Sequence, residues 1–212
     1  MKILITRPEP DASILAKNLI EAGHEVVNLP LLQITLQAQE IVNQGQQFIF
    51  VSKNAVRGMR NLAELKDRPV FAMGPGTAEL LESAGLEAIY PHTLEGSQAF
   101  LQLPALQQIE GQRFTIICGS AARPELSAGL IARGALVDSV SVYVSQRQIL
   151  SPAQQQLVQA EYDLVIVTSL EALRYACELG IRRDASISVL SENMLKCAQD
   201  YGFSRILKNG SV

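Results

Sequence analysis

The chain has no tryptophan, and aromatic residues are only 5% of its 212 residues. No aromatic pair stands where a flavin would stack, which argues against a flavodoxin-type electron carrier. Histidine occurs twice, as His24 and His92, and neither has a partner at ligand spacing. No metal site is therefore expected. Cysteine occurs three times, widely spaced, as Cys118, Cys177 and Cys197. That usage suggests a reducing, cytoplasmic compartment, with all three as plain packing residues. Charged residues are 18% and the net charge is −3, which excludes a broad nucleic-acid footprint. No apolar run approaches the ~20 residues of a membrane span. The start, Met1-Lys-Ile-Leu-Ile-Thr-Arg-Pro, lacks a signal-peptide pattern and reads as a first strand. There is no G-x-G-x-x-G, no G-x-x-x-x-G-K-[ST] and no defensible Ser/His/Asp set. The short Gly74-Pro-Gly76 turn is weak evidence for a nucleotide.

What the chain does have is an internal echo. Phe48-Ile-Phe-Val-Ser-Lys-Asn-Ala-Val56 and Leu164-Val-Ile-Val-Thr-Ser-Leu-Glu-Ala172 are both apolar runs that end on serine and pass into helical sequence. A shift of 117 residues places Ser52 on Ser169, Val70 on Ile187, Gly85 on Gly202 and Ile89 on Ile206 without a gap. A second echo relates Ile3 to Arg7, Gly23 and Val26 to Ile116 to Gly119, Gly134 and Val137, at an offset of 112 in the strand and 111 at the glycine. A repeat this long marks duplicated domains. One echo precedes its partner block and the other follows it. Lobe one is therefore split, 1–35 plus 148–212, and lobe two is continuous, 36–147.

The local pattern in both lobes is alternating βα, which predicts parallel sheets covered by helices. Strands are expected at Lys2 to Thr6, at Glu25 to Leu29, and near 47–51, 69–73, 87–90, 113–118, 136–143, 163–167, 186–190 and 204–207. A helix capped at or near Asp11 would present Ile14, Leu15, Leu19 and Ile20 on one face, with Gly23 closing it. Further helices are expected near 53–60, 75–84, 95–102, 122–132, 169–179 and 192–200. Pro30 to Gln37 and Val142 to Leu150 read as extended crossings, a paired linker with a hinge as its natural consequence. The glutamine-rich stretch 37–47 suggests a short helix, and 153–160 leads back into lobe one. The fold class is thus α/β, two flavodoxin-like doubly wound parallel-sheet lobes joined by a two-stranded linker.

Ligands of such sheets bind beyond the carboxyl ends of the strands. The residues expected there are Thr6, Arg7, Ser52 to Asn54, Gly74 to Thr77, Gly119 to Arg123, Ser169 and Ser191 to Asn193. Hydroxyls, arginine and helix N-terminal N–H groups suit anions.

These strand-end motifs, in their order, resemble uroporphyrinogen-III synthase. The resemblance runs through Ile3-Leu-Ile-Thr-Arg-Pro8, Gly23-His-Glu-Val26, Phe50-Val-Ser-Lys-Asn-Ala-Val56, Ala72-Met-Gly-Pro-Gly-Thr-Ala78, Glu95-Gly96, Cys118-Gly119 with Arg123, Gly134, Val142-Tyr143, Val167-Thr-Ser169 and Val189-Leu-Ser-Glu192. It implies an enzyme that dehydrates the linear tetrapyrrole hydroxymethylbilane and closes it with ring D inverted, through a spiro-pyrrolenine. It implies no metal or organic cofactor, and a substrate with eight carboxylates held in a cleft between the lobes. The implied partner is this small molecule alone, with no nucleic acid and no membrane. A monomer is expected, receiving its substrate from the preceding enzyme of the pathway.

Residue by residue, the resemblance makes Tyr143 the candidate for assisting hydroxyl loss. Substrate-binding candidates are Arg7, Ser52, Asn54, Gly76, Thr77, Arg123, Ser169 and Ser191. Each has a plainer reading. Tyr143 could be a packed linker ring, the hydroxyls could be helix caps, and the arginines could be solvated charges. Asn54 stands where some relatives carry arginine, so it brings donors without charge. The counterpart of Gly74-Pro-Gly-Thr77 is Ser191-Glu-Asn-Met194, without the threonine, and Glu192 would repel a polyanion unless turned away. Relatives usually add a closing helix after the last strand, so thinner cover for lobe one is expected. The competing reading is a non-catalytic bilobal module that binds an anion or a tetrapyrrole.

Overall fold

The computed structural model describes residues 1–40, 46–92, 96–120 and 124–208. The strands in chain order are β1 (Lys2–Ile5), β2 (Glu25–Asn28), β3 (Leu32–Leu36), β4 (Gln47–Phe50), β5 (Val70–Ala72), β6 (Ala88–Ile89), β7 (Arg113–Gly119), β8 (Leu136–Arg147), β9 (Leu164–Ile166), β10 (Ser186–Val189) and β11 (Ile206–Lys208). The α-helices are α1 (Asp11–Glu21), α2 (Lys53–Arg57), α3 (Pro75–Ser83), α4 (Ser97–Leu101), α5 (Pro124–Ile131), α6 (Pro152–Val158), α7 (Leu170–Glu178) and α8 (Glu192–Asp200). Two compact units emerge: Met1–Ile34 with Gln146–Val212, and Thr35–Ser145. The division falls inside both β3 and β8.

Unit 1 carries a five-stranded sheet in the order β11-β10-β9-β1-β2, every pair parallel. Counted along the chain this is 2-1-3-4-5, the flavodoxin order. Unit 2 carries a six-stranded sheet in the order β3-β8-β7-β4-β5-β6. Without β3, the same count gives 3-2-1-4-5 from the other edge of the repeat, so the flavodoxin order expected of each lobe is met by only one of them. The spatial arrangement is nonetheless the same. The chain enters unit 2 at β4, the counterpart of β9, and reaches the counterparts of β1 and β2 last. The two units are circular permutations of each other.

The ladder registers test both echoes. Phe48 pairs with Val70 and Val165 with Ile187, each partner shifted by 117. Phe114 pairs with Val137 and Ile3 with Val26, each partner shifted by 111. The offset of 112 assigned to the strand is therefore one residue too large.

Several local expectations change. Asp11 is the first helical residue of α1, not its cap, and Pro10 holds the cap position. The buried face of α1 is Ala12, Ala16 and Leu19, while Ile14 and Ile20 are more than half exposed. Residues 37–40 are not helical, Gln39 bridging to Met59, and 41–45 lie outside the described residues. Pro30 to Gln37 contains a true strand, β3. Gln37 N–H donates to Val142 O and Gln148 N–H to Leu31 O, a pairing in which the two sequences run in opposite directions. The segment returning to unit 1 forms α6, started by a capping box in which Ser151 and Gln154 satisfy each other's N–H groups.

Each sheet is buried on both faces, which explains its nearly unbroken apolar strands. In β1, Leu4 faces a core with Val165, Leu173 and Ile187, while Ile3 and Ile5 face Ala12, Ala16 and Leu19. Each such large side chain contributes about 1.5–3 kcal/mol on burial. In unit 2, Phe71 packs against Phe100 and Phe114 with ring centroids 6.1 Å apart in both pairs. Its counterpart in unit 1, 117 residues later, is Ser188. Among the described residues, Ser188 Oγ is the buried side-chain polar atom with no hydrogen-bond partner. Ser188→Ala is therefore expected to stabilise the protein by about 1 kcal/mol. A urea midpoint that falls instead would show that the hydroxyl is used.

Candidate active site

In unit 2 the carboxyl end of β4 delivers Ser52. Its Oγ accepts the Ala55 N–H at 3.2 Å and so caps α2, worth about 1 kcal/mol. The same oxygen donates its proton to the Tyr143 phenol oxygen at 3.1 Å. The two roles are compatible, because a hydroxyl has one hydrogen and two lone pairs. With its oxygen already accepting from Ser52, Tyr143 keeps its own O–H to offer elsewhere.

Tyr143 reaches this position through an irregularity. Cys118 pairs with Ser141 but Gly119 pairs with Tyr143, so β8 holds one extra residue, Val142. Such a bulge re-aims the side chains that follow it. Val142 and Tyr143, which would alternate in a regular strand, here both pack against the Phe48, Phe50 and Ile117 core. Two glycines make room. A Cβ on Gly119 would stand 2.7 Å from Tyr143 Cε2 and 2.8 Å from Cζ, so the ring lies directly on that glycine. A Cβ on Gly58 would stand 2.6 Å from the Val142 carbonyl oxygen. The Ser120 N–H donates to Tyr143 O at 2.9 Å, fixing the backbone beside the phenol.

Thr77 is buried in the first turn of α3, whose cap, Gly74, has no side-chain bond to offer. Asn54 Oδ1 accepts from Arg57 Nη1 at 3.0 Å, which leaves its NH2 group as the donor. Gly76 lies under the Lys53 side chain, 2.9 Å separating Cε from the position of a Cβ. Arg123 lies outside the described residues.

In unit 1 the carboxyl ends of β1, β9 and β10 lead to Arg7, Ser169 and Ser191. Arg7 pairs with Asp11 at 3.9 Å. Ser169 Oγ accepts the Ala172 N–H at 3.1 Å and Ser191 Oγ accepts the Met194 N–H at 3.3 Å, so both cap their helices. Ser191 occupies the place of Gly74 in the repeat, and Met194 that of Thr77. Glu192 is neutralised by Lys208 at the end of β11. Thr6 turns its hydroxyl inward to the Ile166 carbonyl at 3.0 Å, so it serves the sheet.

Ser52 and Tyr143 are thus brought into contact, while Ser169 and Ser191 follow adjacent strands. The bulge at Val142 escaped sequence reasoning, which placed Gly119 and Lys53 at the strand ends but gave neither a role. The signal for Gly119 was a glycine ending one central strand beside a tyrosine ending the next. Burial pushes the Cys118 thiol above its ordinary value, and pushes Cys177 up to about 11, so neither is a nucleophile at neutral pH. Among the described residues no cluster of His, Cys, Asp or Glu could hold a metal ion, and no helix is long and apolar enough to cross a membrane.

The chain is similar to known proteins in both sequence and fold. The chain is 33% identical to uroporphyrinogen-III synthase of Proteus mirabilis, over 68% of this chain and 79% of that one. It is 29% identical to the same enzyme of Escherichia coli K12, over 97% and 94%. Its fold resembles the crystal structures of uroporphyrinogen-III synthetase from Helicobacter pylori (TM-score 0.65, 14% identity, 99% of this chain and 92% of that one) and of a mutant uroporphyrinogen III synthase from Thermus thermophilus (TM-score 0.61, 16% identity, 100% and 94%). The family model described as uroporphyrinogen-III synthase HemD matches residues 13–208, and the chain belongs to that family.

Proposed function

We propose that Tyr143 is the general acid of a uroporphyrinogen-III synthase, a lyase of haem biosynthesis that dehydrates and cyclises hydroxymethylbilane. The observation that carries this assignment is the Ser52–Tyr143 hydrogen bond at 3.1 Å. The Ala55 N–H, the Ser52 hydroxyl and the Tyr143 hydroxyl form a chain of donors that polarise one another. At its end the phenol proton passes to the departing hydroxyl, which leaves as water. The bilane is left as an azafulvene cation, and Ser52 donates to the phenolate. The substituted carbon of ring D attacks the cationic methylene, and the new carbon–carbon bond gives the spiro intermediate. After rearrangement, the ring proton lost on closure returns to Tyr143, so the residue ends as it began.

The rest of the task is positioning. Uncatalysed closure gives the uninverted isomer, so the protein must hold the substrate in one geometry. The hydroxyls of Ser169, Ser191 and Thr77, the Asn54 amide, Arg7 and Arg123, and the backbone at Gly76 are the groups we assign to the substrate carboxylates, while the one hydroxyl proton of Ser52 goes to Tyr143. Binding spread over many donors predicts a graded response. Ser52→Ala and Ser169→Ala should each lower kcat/KM by about tenfold, the value of a single hydrogen bond. Complete inactivity of both would contradict shared binding.

The direct test generates hydroxymethylbilane in place, oxidises the products and separates the type I and type III isomers by chromatography. A dominant type III peak that depends on this protein is the expected result. Type I alone, from a folded protein that still binds uroporphyrinogen III, would make it a tetrapyrrole-binding module.

A further inference from the structure

Gly76 is the second residue of α3, in helical backbone where alanine is the better helix former. Its value there is space, not conformational freedom. A Cβ would stand 2.9 Å from Lys53 Cε and 3.5 Å from Nζ. The lysine side chain therefore lies across the first turn of α3 with its ammonium beside it. Backbone N–H groups at that end of a helix carry positive partial charge of their own. An anion placed between the ammonium and that helix end is attracted by both, and the substrate is a polyanion. Lys53 also directly follows Ser52, which holds the Tyr143 phenol. A carboxylate bound at Lys53 would fix the substrate relative to that acid. Asn54, the next residue, is committed through its carbonyl to Arg57 and brings no charge.

We propose that Lys53 is a substrate-positioning residue of unit 2, its ammonium held across Gly76 to take a carboxylate of the tetrapyrrole. The inference rests on the synthase reading and adds to it the charge that Asn54 does not supply. Gly76, besides its backbone, then contributes the floor on which the lysine lies.

The test compares the parent with Lys53→Met, Lys53→Arg, Gly76→Ala and the K53M/G76A double variant. It reads KM and kcat for the type III isomer, affinity for uroporphyrinogen III, and the thermal midpoint. Lys53→Met is expected to raise KM and weaken product binding about tenfold, the scale of one charge-assisted hydrogen bond, with kcat within about threefold. Lys53→Arg should recover most of the loss. Gly76→Ala displaces only the flexible end of a side chain, so the midpoint should hold or rise while KM rises as in Lys53→Met. The double variant should be no worse than either single change, because both remove one contact. Salt should narrow the gap between parent and Lys53→Met.

The proposal is overturned if Lys53→Met keeps KM and product affinity within about twofold of the parent, or if the two substitutions add independently. A parent that makes no type III isomer, yet binds uroporphyrinogen III in a Lys53-dependent way, would overturn the synthase reading and leave the carboxylate contact standing.

Discussion

Tyr143→Phe is expected to lower kcat by about 10²–10⁴-fold, the usual contribution of a positioned proton donor. KM should change little. The ring that lies on Gly119 and packs against the Phe48 and Phe50 core is still present, and only the hydroxyl is gone. Because the substrate also closes unaided, slowed enzyme would be outrun by solution chemistry, and the product mixture should shift from type III towards type I. Single-turnover isomer ratios report this directly. Gly119→Ala provides the complementary variant. It keeps the phenol but drives the ring from its seat, since a Cβ would stand 2.7 Å from Cε2. It too should lose most of kcat. A Tyr143→Phe enzyme that retains more than about a tenth of parental kcat would remove the phenol from the mechanism.

The largest effect on stability is expected at Gly58. Its backbone is right-handed, φ −80° and ψ −10°, so alanine there would gain about 0.4–1 kcal/mol from a less flexible unfolded chain. Geometry opposes that gain. The new Cβ would meet the Val142 carbonyl oxygen at 2.6 Å and Val142 Cβ and Cγ2 at 2.7 Å. The nearest of these atoms is strand backbone and Val142 Cβ is attached directly to it, and the Val142 oxygen is already bonded to the Gln37 N–H at 2.8 Å. Overpacking of this kind costs about 1–3 kcal/mol, so a net loss of about 1–2 kcal/mol follows. Val142 is the extra residue that aims Tyr143, so kcat should fall with stability. Urea unfolding gives the first and the isomer assay the second. An unchanged midpoint would mean that the bulge yields freely, and the argument for its role in aiming Tyr143 would fail. Gly76→Ala is the internal contrast: there the neighbour is the end of a lysine side chain, and stability should hold.

Much of this was legible in the sequence. Ser52 and Ser169 stand 117 residues apart, and both prove to be helix caps that accept from an alanine N–H three residues on. That echo was sharp because caps and closing glycines are chemically distinctive. The second echo slipped by one residue. Ile3 to Ile5 and Phe114 to Cys118 are buried on both faces of their sheets, so no alternation of buried and exposed residues pins their register. The buried face of α1 was misread for a related reason. Large apolar residues at Ile14 and Ile20 outweighed the small Ala12 and Ala16, which are the ones that let the helix approach the sheet. At the site, residue types marked Ser52 and the family resemblance marked Tyr143, but neither marked the contact between them. That contact depends on one inserted residue in β8 and on two glycines whose meaning lies in what they touch. Lys53 reads in sequence as an ordinary lysine, and only the space above Gly76 distinguishes it.

The permuted chain path also sets the order in which the molecule can be built. Residues 35–145 form a continuous unit and can complete their sheet as soon as they have been synthesised. Unit 1 cannot. Its interior strand β1 finds one neighbour, β2, within some twenty residues, but the other, the central strand β9, only after about 160. Until then Ile3, Leu4 and Ile5, none of which is exposed in the finished protein, sit on an open strand edge. Contacts this distant in sequence slow folding, and open apolar edges invite association with other chains. β1 is thus synthesised long before it is enclosed, and during that interval its apolar side chains are open to association with other chains.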